Sequence, residues 1–407
     1  MPEKQVPEKW DAVIIGAGAS GLVCAAEAGR RNKKVLVLDH NKGSGRKILM
    51  SGGGRCNFTN REVTAEQFIS QNPHFCKSAI KRFTAWDFLD RIRSAGIRYE
   101  EREHGQLFCR GKASEILNML MTYCEKAGVT FAMNTEIKQV NRLETERTDG
   151  NSRSGFRIEA GRRTLDTPSL VIATGGVSIP GAGASPLGYR IAEQFGIAVV
   201  PPSPGLVPFT LQPGDKEMLQ PLSGIAVKAR VSLSGTGFTE NILFTHRGLS
   251  GPVILQISSY WQPGQTVTID LLPDLDLAGA LADARTSKSK KQIKSFLSDH
   301  LPKRLVMARL PRKTAALPVN RISRDQVSQV CNAFHHWEIK PGGTEGYRTA
   351  EVTVGGVDTA RISSKTFEAR DVAGLYFIGE VLDVTGWLGG FNLQWAWSSG
   401  WCAGQYV

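Results

Sequence analysis

The chain has 407 residues, of which 41% are hydrophobic and 22% charged, and its formal net charge is +12. This length predicts two or three domains that can each bury a core, and the apolar share excludes a largely disordered chain. Seven scattered cysteines without a CxxC pair argue against a disulfide scaffold or a zinc ribbon, and we expect no metal site. The sequence has no secretory signal segment and no run of about 20 apolar residues, so we expect a cytoplasmic protein that does not enter a membrane. The charge points to an anionic partner.

The first 40 residues predict a strand, a glycine turn, a helix and a second strand. Residues 11–15 and 35–38 are short apolar runs, residues 22–31 have helical spacing, and Asp39 closes the second strand. Between the first strand and the helix lies Gly-Ala-Gly-Ala-Ser-Gly at 16–21. This is the GxGxxG pattern of a dinucleotide-binding turn, and its position between a strand and a helix makes it specific.

Each residue type in this turn has a physical reason. Gly16 would make the tight turn, Gly18 would let a pyrophosphate approach, and Gly21 would let the helix pack on the strand. The N–H groups at the helix start, including those of Ala19 and Ser20, would face the phosphates. Asp39 would accept hydrogen bonds from ribose hydroxyls and disfavour a 2′-phosphate.

Three later segments favour FAD over NAD as the bound cofactor. In residues 45–57, Arg46 and Lys47 would neutralise a phosphate or the flavin pyrimidine, and the backbone from Ser51 to Asn57 would donate to the ring edge. Residues 173–176 resemble the second glycine signature of two-dinucleotide-fold flavoproteins. Residues 374–380 resemble their late strand, whose terminal carboxylate holds the ribityl chain. No second strand-GxGxxG-helix unit occurs, which argues against a separate NAD domain.

The remaining patterns predict the domain organisation. Ser114 predicts the start of a helix over 115–127. Near residue 200 the sequence becomes rich in proline, and the residues that follow alternate as in strands. We therefore expect an α/β protein with a discontinuous FAD-binding domain at 1–199 and 350–407. A β-rich domain at 200–276 and a basic helical domain at 277–349 would be inserted in it.

Four segments carry a resemblance to a known family: Arg-Lys-Ile-Leu-Met-Ser-Gly-Gly-Gly-Arg-Cys-Asn-Phe-Thr at 46–59, Phe-Thr-His-Arg-Gly-Leu-Ser-Gly-Pro at 244–252, Val-Thr-Val-Gly-Gly-Val at 352–357, and Gly-Glu-Val-Leu-Asp at 379–383 with Gly-Gly-Phe-Asn-Leu-Gln at 389–394. Together they resemble the BaiN/RdsA family of NAD(P)/FAD-dependent oxidoreductases. The resemblance implies a two-dinucleotide-type, Rossmann-like FAD-binding domain with an inserted β-rich domain and a small helical domain.

The resemblance also implies FAD contacts around Asp39, Arg46, residues 51–57, Ile137, Glu380, Asp383 and residues 389–393. With the glycine turns, the expected cofactor-binding residues are Gly16, Gly18, Ala19, Ser20, Gly21, Asp39, Arg46, Lys47, Ser51, Gly52, Gly53, Gly54, Cys56, Asn57, Ile137, Thr174, Gly175, Gly176, Glu380, Asp383, Gly389, Gly390, Phe391, Asn392 and Leu393.

The family divides by activity. One branch resembles small-molecule reductases that act on bile-acid intermediates, another is similar to ribosomal RNA dihydrouridine synthases, and some relatives are called aminoacetone oxidases. Residues 285–313 contain ten basic residues and one acid, Asp299, and such clustering favours the RNA branch because phosphates need it. The alternative is a solvated basic face.

Three side chains are candidates for catalysis. Cys109, beside Arg110 and Lys112, would donate a proton to C5 of uridine, by analogy with the cysteine of transfer-RNA dihydrouridine synthases. The small-molecule branch tends to have Arg-Val-Phe-Pro here, so Gln106 and Cys109 replace its Arg and Pro. His246 would be an acid or an orienting group, and Cys56 lies in the flavin turn. The alternatives are a small buried hydrophobe at Cys109, hydrogen-bonded support at His246 and packing at Cys56.

These features predict an FAD-dependent oxidoreductase that NADH or NADPH reduces. It would transfer a hydride from flavin N5 to an activated C=C, with a uridine of 23S ribosomal RNA as the expected substrate. Trp387, Phe391, Trp395 and Trp397 would stack on a flipped base or belong to the core. The alternatives are a small-molecule flavin reductase or oxidase with an enone or amine substrate, and a non-catalytic RNA-binding flavoprotein. The sequence predicts no oligomeric state.

Overall fold

The computed structural model describes residues 6–146 and 152–407. The chain is a mixed α/β protein that divides into two compact units, one of residues 1–203 with 352–407 and one of residues 204–351. In the described residues, no helix is long and apolar enough to cross a membrane.

The first part of the chain, up to residue 205, contributes thirteen strands and six helices among the described residues. In chain order they are β1 (Glu8–Lys9), β2 (Ala12–Ile15), α1 (Ala19–Arg30), β3 (Val35–Leu38), α2 (Arg46–Gly54), β4 (Asn57–Asn60), β5 (Phe68–Ile69), α3 (Cys76–Arg82), α4 (Ala85–Ser94), β6 (Tyr99–Glu101), β7 (Gln106–Cys109), α5 (Ala113–Lys126), β8 (Thr130–Ala132), β9 (Ile137–Glu146), β10 (Ser152–Ala160), β11 (Arg163–Thr167), β12 (Ser169–Ile172), α6 (Leu187–Gln194) and β13 (Val199–Gly205).

The second unit and the C-terminal part supply the remaining elements. In chain order they are β14 (Phe209–Thr210), α7 (Pro213–Leu219), β15 (Ala226–Leu233), β16 (Thr236–Phe244), β17 (Gly248–Ser250), α8 (Pro252–Ser258), β18 (Val267–Asp270), α9 (Leu277–Thr286), α10 (Ile293–Leu297), α11 (Lys303–Arg309), α12 (Arg312–Ala316), α13 (Arg324–His335), β19 (Trp337–Ile339), β20 (Gly343–Thr344), β21 (Val352–Val357), β22 (Leu375–Phe377), β23 (Thr385–Gly386) and α14 (Phe391–Gly404).

The first unit is organised around a parallel sheet in the order β22-β12-β2-β3-β8. Every residue of β2 and β3 is buried, as expected for strands of a sheet that is covered on both faces. The register pairs Ile15 with Leu38 and Ile172, so the carboxyl ends of these strands share one edge. Ligands of open α/β sheets bind at such edges. The predicted strand–turn–helix–strand start and the Rossmann-like fold class are confirmed.

Helix α1 packs closely on α14. A Cβ atom at Gly400 would collide with the carbonyl oxygen of Ser20, and one at Gly404 would lie 2.6 Å from Cβ of Glu27. Glycine therefore lets the two helices approach each other along their length. This contact fixes the C-terminal helix beside the helix that follows the dinucleotide turn.

One predicted helix start is wrong. Helix α5 begins at Ala113, with Ser114 inside its first turn. The carboxylate of Glu115 accepts a hydrogen bond from the backbone N–H of Lys112 at 3.0 Å and satisfies a donor that would otherwise lack a partner.

The second unit has a seven-stranded sheet in the order β19-β18-β15-β16-β17-β14-β20. Its strands and helices contribute to one hydrophobic cluster, in which Phe244 of β16 stacks on Trp337 with ring centroids 6.1 Å apart. Helices α9, α10 and α11 add Leu281, Ile293 and Leu305, which are fully buried. The β-rich and helical parts of this segment therefore share a core.

Candidate cofactor site

The glycine turn after β2 is crowded at two positions and open at a third. Gly16 has φ +115°, and a Cβ atom there would collide with the carbonyl oxygen of Ala173. A Cβ at Gly21 would collide with the carbonyl oxygen of Gly16. At Gly18, by contrast, a Cβ would meet no atom within 4 Å. The protein's own packing explains two of the three glycines and leaves space at the middle one.

The start of α1 faces this space. The first helical hydrogen bond runs from Leu22 N–H to Gly18 O, and no side chain caps the helix. The N–H groups of the first helical turn, those of Ala19 and Ser20 included, have no partner within their own helix. They present a partial positive charge to an anion.

The carboxylate of Asp39 ties this turn to the loop after β3. Its Oδ2 accepts from the backbone N–H of Ala17 at 2.8 Å, and its Oδ1 accepts from the backbone and side chain of Asn41 at 2.8 and 3.0 Å. A carboxylate has about four acceptor sites, so capacity remains on Oδ2. The backbone of Asp39 also holds the segment before β9, because Thr135 N–H donates to Asp39 O at 2.9 Å. Ile137, partly exposed, begins β9 two residues later.

Arg46 extends the same network. Its guanidinium donates to the side chain of Asn41 and to the carbonyl of Gly181, each at 2.8 Å. Among the described residues no carboxylate forms an ion pair with Arg46, and the residue is exposed. Its positive charge is therefore available to a ligand at this edge.

Lys47, unlike Arg46, forms an ion pair. Its Nζ donates to both carboxylate oxygens of Glu380, at 2.7 and 3.0 Å, and to the hydroxyl of Ser178 at 2.7 Å. Glu380 also accepts from the backbone N–H of Thr353 at 3.1 Å. The two charges offset one another, so Lys47 is not a free cation in this structure. Sequence reasoning assigned both residues to the cofactor and missed that they pair.

The second glycine signature makes room for this ion pair. A Cβ at Gly176 would lie 3.0 Å from Oε1 of Glu380, and one at Gly175 would lie 3.7 Å from Oε2. Thr174 packs against Gly188, where a Cβ would collide with its hydroxyl. Gly176 thus lets Thr353 and Glu380 approach the end of β12, because a Cβ there would also collide with the Thr353 hydroxyl.

The turn at the end of α2 exposes backbone. Ser51 is extended, and Gly52, Gly53 and Gly54 have φ values of +56°, +65° and +84°. A Cβ at Gly53 would meet no atom within 4 Å. Three consecutive glycines in conformations that other residues rarely adopt give a backbone surface without side chains.

Residues 389–390 lie against this part of the molecule. A Cβ at Gly390 would come 2.5 Å from the carbonyl of Thr59 and 2.8 Å from the side chain of Asn57. The side chain of Asn60 donates to Gly389 O at 3.1 Å. Helix α14 follows at once, so its first turn is held beside β4 by amide side chains and close glycine contacts.

The three residues that open α14 have distinct environments. Phe391 is buried and packs edge-on against Phe68 at 6.3 Å. The amide of Asn392 closes a pair of 2.8 Å hydrogen bonds with the backbone of Gly386. Leu393 is partly buried against the core. These contacts are structural, and they position the glycines before the helix.

Asp383 is buried and hydrogen-bonded. Its Oδ2 accepts from the backbone N–H of Gln71 at 2.8 Å, and burial raises the pKa of this carboxyl above its ordinary value. No described cation forms an ion pair with it. The Gln71 contact accounts for one of its acceptor sites.

Cys109 and Cys56, two of the candidates for catalysis, are fully buried. The Cys109 thiol lies 3.6 Å from the carbonyl oxygen of Lys112. Arg110 and Lys112 do not lower its pKa, because burial raises it. Burial also raises the pKa of Cys56 to about 12. Both thiols are protonated at neutral pH and are packed among buried side chains, as structural cysteines are.

His246 belongs to the second unit. It is exposed in the turn after β16, where the N–H of Thr245 donates to Gly248 O at 2.8 Å. The neighbouring Arg247 pairs with Glu345 at 3.2 Å. The exposure of His246 leaves its imidazole accessible to solvent or a ligand.

Comparison with known proteins identifies the family. Residues 10–406 match the family described as HI0933-like protein Rossmann domain. The chain belongs to this family. It is 53% identical to the ribosomal RNA dihydrouridine synthase of Escherichia coli K12, with 98% of each chain covered. It is 51% identical to the enzyme of the same name from Haemophilus influenzae, over 95% of this chain and 96% of that one. Identity to the 3-dehydro-bile acid delta(4,6)-reductase of Clostridium scindens is 28%, over 96% and 97%.

In this HI0933-like protein the basic segment 285–313 is mostly solvent-exposed. Its exposed cations are Arg285, Lys288, Lys290, Lys291, Lys303, Arg304, Arg312 and Lys313. Lys291 pairs with Asp299. Arg309 is an exception, because its guanidinium lies 4.1 Å from the centre of the Trp337 ring and donates to Ala333 O. Its partial burial lowers its pKa to about 10.

Most of the aromatic side chains that were expected to stack on a base belong to the hydrophobic core. Trp395 and Trp397 are fully buried, and their ring N–H groups donate to the carbonyls of Gly379 and Phe58 at 3.0 and 2.8 Å. They cannot meet a base without unfolding of this region. Trp387 is only partly buried.

Sequence reasoning missed the polar residues that support the glycines. Asn41 bridges Asp39 to Arg46, and the backbone N–H of Thr353 donates to the Glu380 carboxylate. Gln106 was noted only as a replacement, but it lies beside Asn57 and Gly389. The available signal was the concentration of Asn, Gln and Thr near glycine motifs, which marks no site by itself.

Proposed function

We propose that this protein is an FAD-dependent ribosomal RNA dihydrouridine synthase. The observation that carries the proposal is identity above 50% over nearly the whole chain to two enzymes of that name. The bile-acid reductase, at 28% identity over a similar length, is far more distant.

The residues at the carboxyl edge of the parallel sheet fit FAD. Gly18 leaves space beside the free N–H groups of α1, which suits a pyrophosphate. Asp39 keeps acceptor capacity for a ribose hydroxyl, and Arg46 adds an unpaired positive charge. When bound, FAD would supply at N5 the hydride that reduces the uridine C5=C6 bond.

The chain's own residues would bind and orient the cofactor. The ion pair of Lys47 with Glu380 would fix a polar wall near the ribityl chain, since Glu380 is held by three donor groups. The backbone of residues 52–54 and 389–390 would line the ring, because glycine permits close approach. Ile137 would contact the ribose end, near Asp39.

NADH or NADPH would act as a transient reductant. The described residues contain one strand–GxGxxG–helix turn, so the nicotinamide nucleotide would visit the same face as the substrate. A reductant and a substrate that share a face follow ping-pong kinetics. Parallel lines in a two-substrate plot are expected, and intersecting lines would contradict this order.

The exposed cations of residues 285–313 would neutralise RNA phosphates. Eight exposed positive charges lie in that segment against one acid. Such a surface attracts a polyanion and releases counterions on binding. The target base must leave its stack to meet the flavin, at a cost of a few kcal/mol.

The deciding experiment compares ribosomal RNA from a strain lacking the gene with RNA from the same strain carrying it. Mass spectrometry should show one uridine lighter by two hydrogens in the deletion strain, restored by the wild-type gene. The purified protein with FAD and NADH should regenerate that dihydrouridine in vitro. Unchanged RNA in the deletion strain would overturn the proposal, and turnover of an enone without RNA would favour the small-molecule branch.

A further inference from the structure

Strand β7 brings one amide side chain to the side of the sheet where glycines 52–54, 389 and 390 lie, which we call the glycine-lined face. In the antiparallel pairing with β4, Gln106 lies opposite Asn60 and Phe108 lies opposite Asn57. Residues that face each other across antiparallel strands share one side of the sheet. A Cβ at Gly389 would lie 3.6 Å from Cγ of Gln106, and one at Gly52 would lie 2.7 Å from the Phe108 ring.

The alternate residues of β7 point the other way. Leu107 and Cys109 are buried on the opposite side, as the period of two in a strand requires. Gln106 is therefore the polar side chain of this strand that reaches the glycine-lined face. It is only partly buried.

The side-chain amides of the neighbouring Asn57 and Asn60 already have hydrogen-bond partners. Asn60 donates to Gly389 O and His104 O and accepts from Glu62 N–H. In the amide orientation that satisfies its surroundings, Asn57 donates to two carbonyls and accepts from Gly390 N–H at 3.1 Å. Both side chains are structural supports and have little capacity left for a ligand.

Gln106 is anchored at one end only. Its amide lies 3.1 Å from that of Asn57, and the described residues give it no other hydrogen bond. An amide has two donor hydrogens and an acceptor oxygen with two lone pairs. In either orientation at Asn57, one donor hydrogen and one acceptor site stay free, next to one another, on a side chain that a neighbour holds in place.

We propose that Gln106 recognises the imide edge of the uridine that is reduced. The edge of uracil places an N–H donor between two carbonyl acceptors, so an amide can make two parallel hydrogen bonds with it. Such bidentate contacts fix the plane of a base and its distance from a wall of the site. Gln106 thus sets the substrate's orientation beside the flavin ring that residues 52–54 and 389–390 would line. This inference rests on the proposed function.

Two substitutions test the proposal. Gln106→Leu removes both hydrogen-bonding groups, and Gln106→Glu keeps the size but replaces the donor by a second acceptor. Gln139→Leu, at an exposed position on β9, is the matched control. FAD content, the flavin absorbance spectrum and the rate of flavin bleaching by NADH are measured first. Re-oxidation by ribosomal RNA from the deletion strain is measured next.

We expect both Gln106 variants to keep FAD content within twofold of wild type and to lose far less in the bleaching rate than in RNA turnover, because nicotinamide lacks the imide edge. Their kcat/KM for RNA should fall about 10- to 100-fold, the loss typical of a bidentate base contact. A transcript carrying 4-thiouridine weakens one acceptor, so it should slow the wild type and leave Gln106→Leu nearly indifferent between the two transcripts.

Three results would count against the inference. RNA turnover within twofold of wild type in Gln106→Leu would overturn it. Loss of FAD or a changed flavin spectrum would place the side chain at the cofactor, whose pyrimidine ring has the same imide edge, and would overturn it as well. Failure of the wild-type protein to react with any RNA would refute the proposed function itself, independently of the variants.

Discussion

The two compact units offer an anion two different kinds of surface. At the edge of the parallel sheet, glycines 16, 18 and 21 shape a turn of backbone N–H groups, and Arg46 adds a cation that no described carboxylate pairs with. In residues 285–313, exposed side-chain charges stand on helices and on the segments between them, and the apolar sides of the helices enter the core. The first surface is directional and short-range, whereas the second acts over a Debye length of about 8–10 Å and weakens with salt. Net charge alone does not separate these two tasks.

The largest effect is expected in the glycine turn, where two neighbouring glycines should behave differently. Gly16→Ala would force a positive φ on alanine and a collision with Ala173. We expect it to cost about 2–6 kcal/mol of folding free energy. Gly18→Ala should leave the melting temperature unchanged, because a Cβ there meets no protein atom.

The same pair separates folding from binding. Gly18→Ala should raise the FAD dissociation constant about tenfold, since its methyl group fills the space beside the helix start. Thermal melts of the FAD-free proteins and flavin titrations measure the two effects. An FAD affinity equal to wild type in Gly18→Ala would place the pyrophosphate elsewhere.

The second prediction concerns the exposed cations. A quadruple variant, with glutamine at 288, 290, 303 and 312, should lower kcat/KM for ribosomal RNA about 10- to 100-fold at moderate salt. Its logarithmic salt dependence should be shallower, by about 0.7–0.9 for each phosphate that the variant no longer neutralises. Flavin bleaching by NADH should not change, because that step needs no RNA.

The matched control neutralises four exposed lysines outside the segment, at 81, 126, 138 and 365. It changes the net charge equally and should have a much smaller effect on RNA turnover. Equal losses in both variants would show that overall charge, and not the segment, attracts the RNA. Equal activity in both would make residues 285–313 a solvated face.

The third prediction contrasts a partly buried cation with its exposed neighbours. Arg309→Met should lower the free energy of unfolding by about 1–3 kcal/mol, because it removes the cation–π interaction with Trp337 and the hydrogen bonds to Ala333. Lys303→Met, on the same helix, should be neutral in stability. Denaturant titration checks both. If the two variants are equally stable, the guanidinium contributes charge and no packing.

The sequence predicted the sheet edge well because its signals are local. Apolar runs, glycines at fixed spacing and Asp39 all lie within one strand–helix–strand unit. It could not predict the pairing of Lys47 with Glu380, which joins residues far apart in the chain. Nor could it separate Arg309 from its neighbours, since burial depends on tertiary contacts. The helix start at Ser114 was wrong because the helix is capped two residues earlier, at Lys112, whose backbone N–H donates to the Glu115 carboxylate.

The smallest effect is expected at Cys109. The alternation of side chains along β7 places Cys109 on the side of the strand away from Gln106. Its thiol faces the Lys112 carbonyl in the core, and burial keeps it protonated. We expect Cys109→Ala to cost about 1 kcal/mol of stability through poorer packing and to change RNA turnover less than twofold. Stopped-flow re-oxidation by RNA is the measurement, with NADH bleaching as its internal control. A loss of product of about a hundredfold with unchanged bleaching, the size of effect that a general acid supplies, would show instead that the thiol reaches the substrate. In that case β7 would have to rotate its faces when FAD binds, and Gln106 would leave the glycine-lined side.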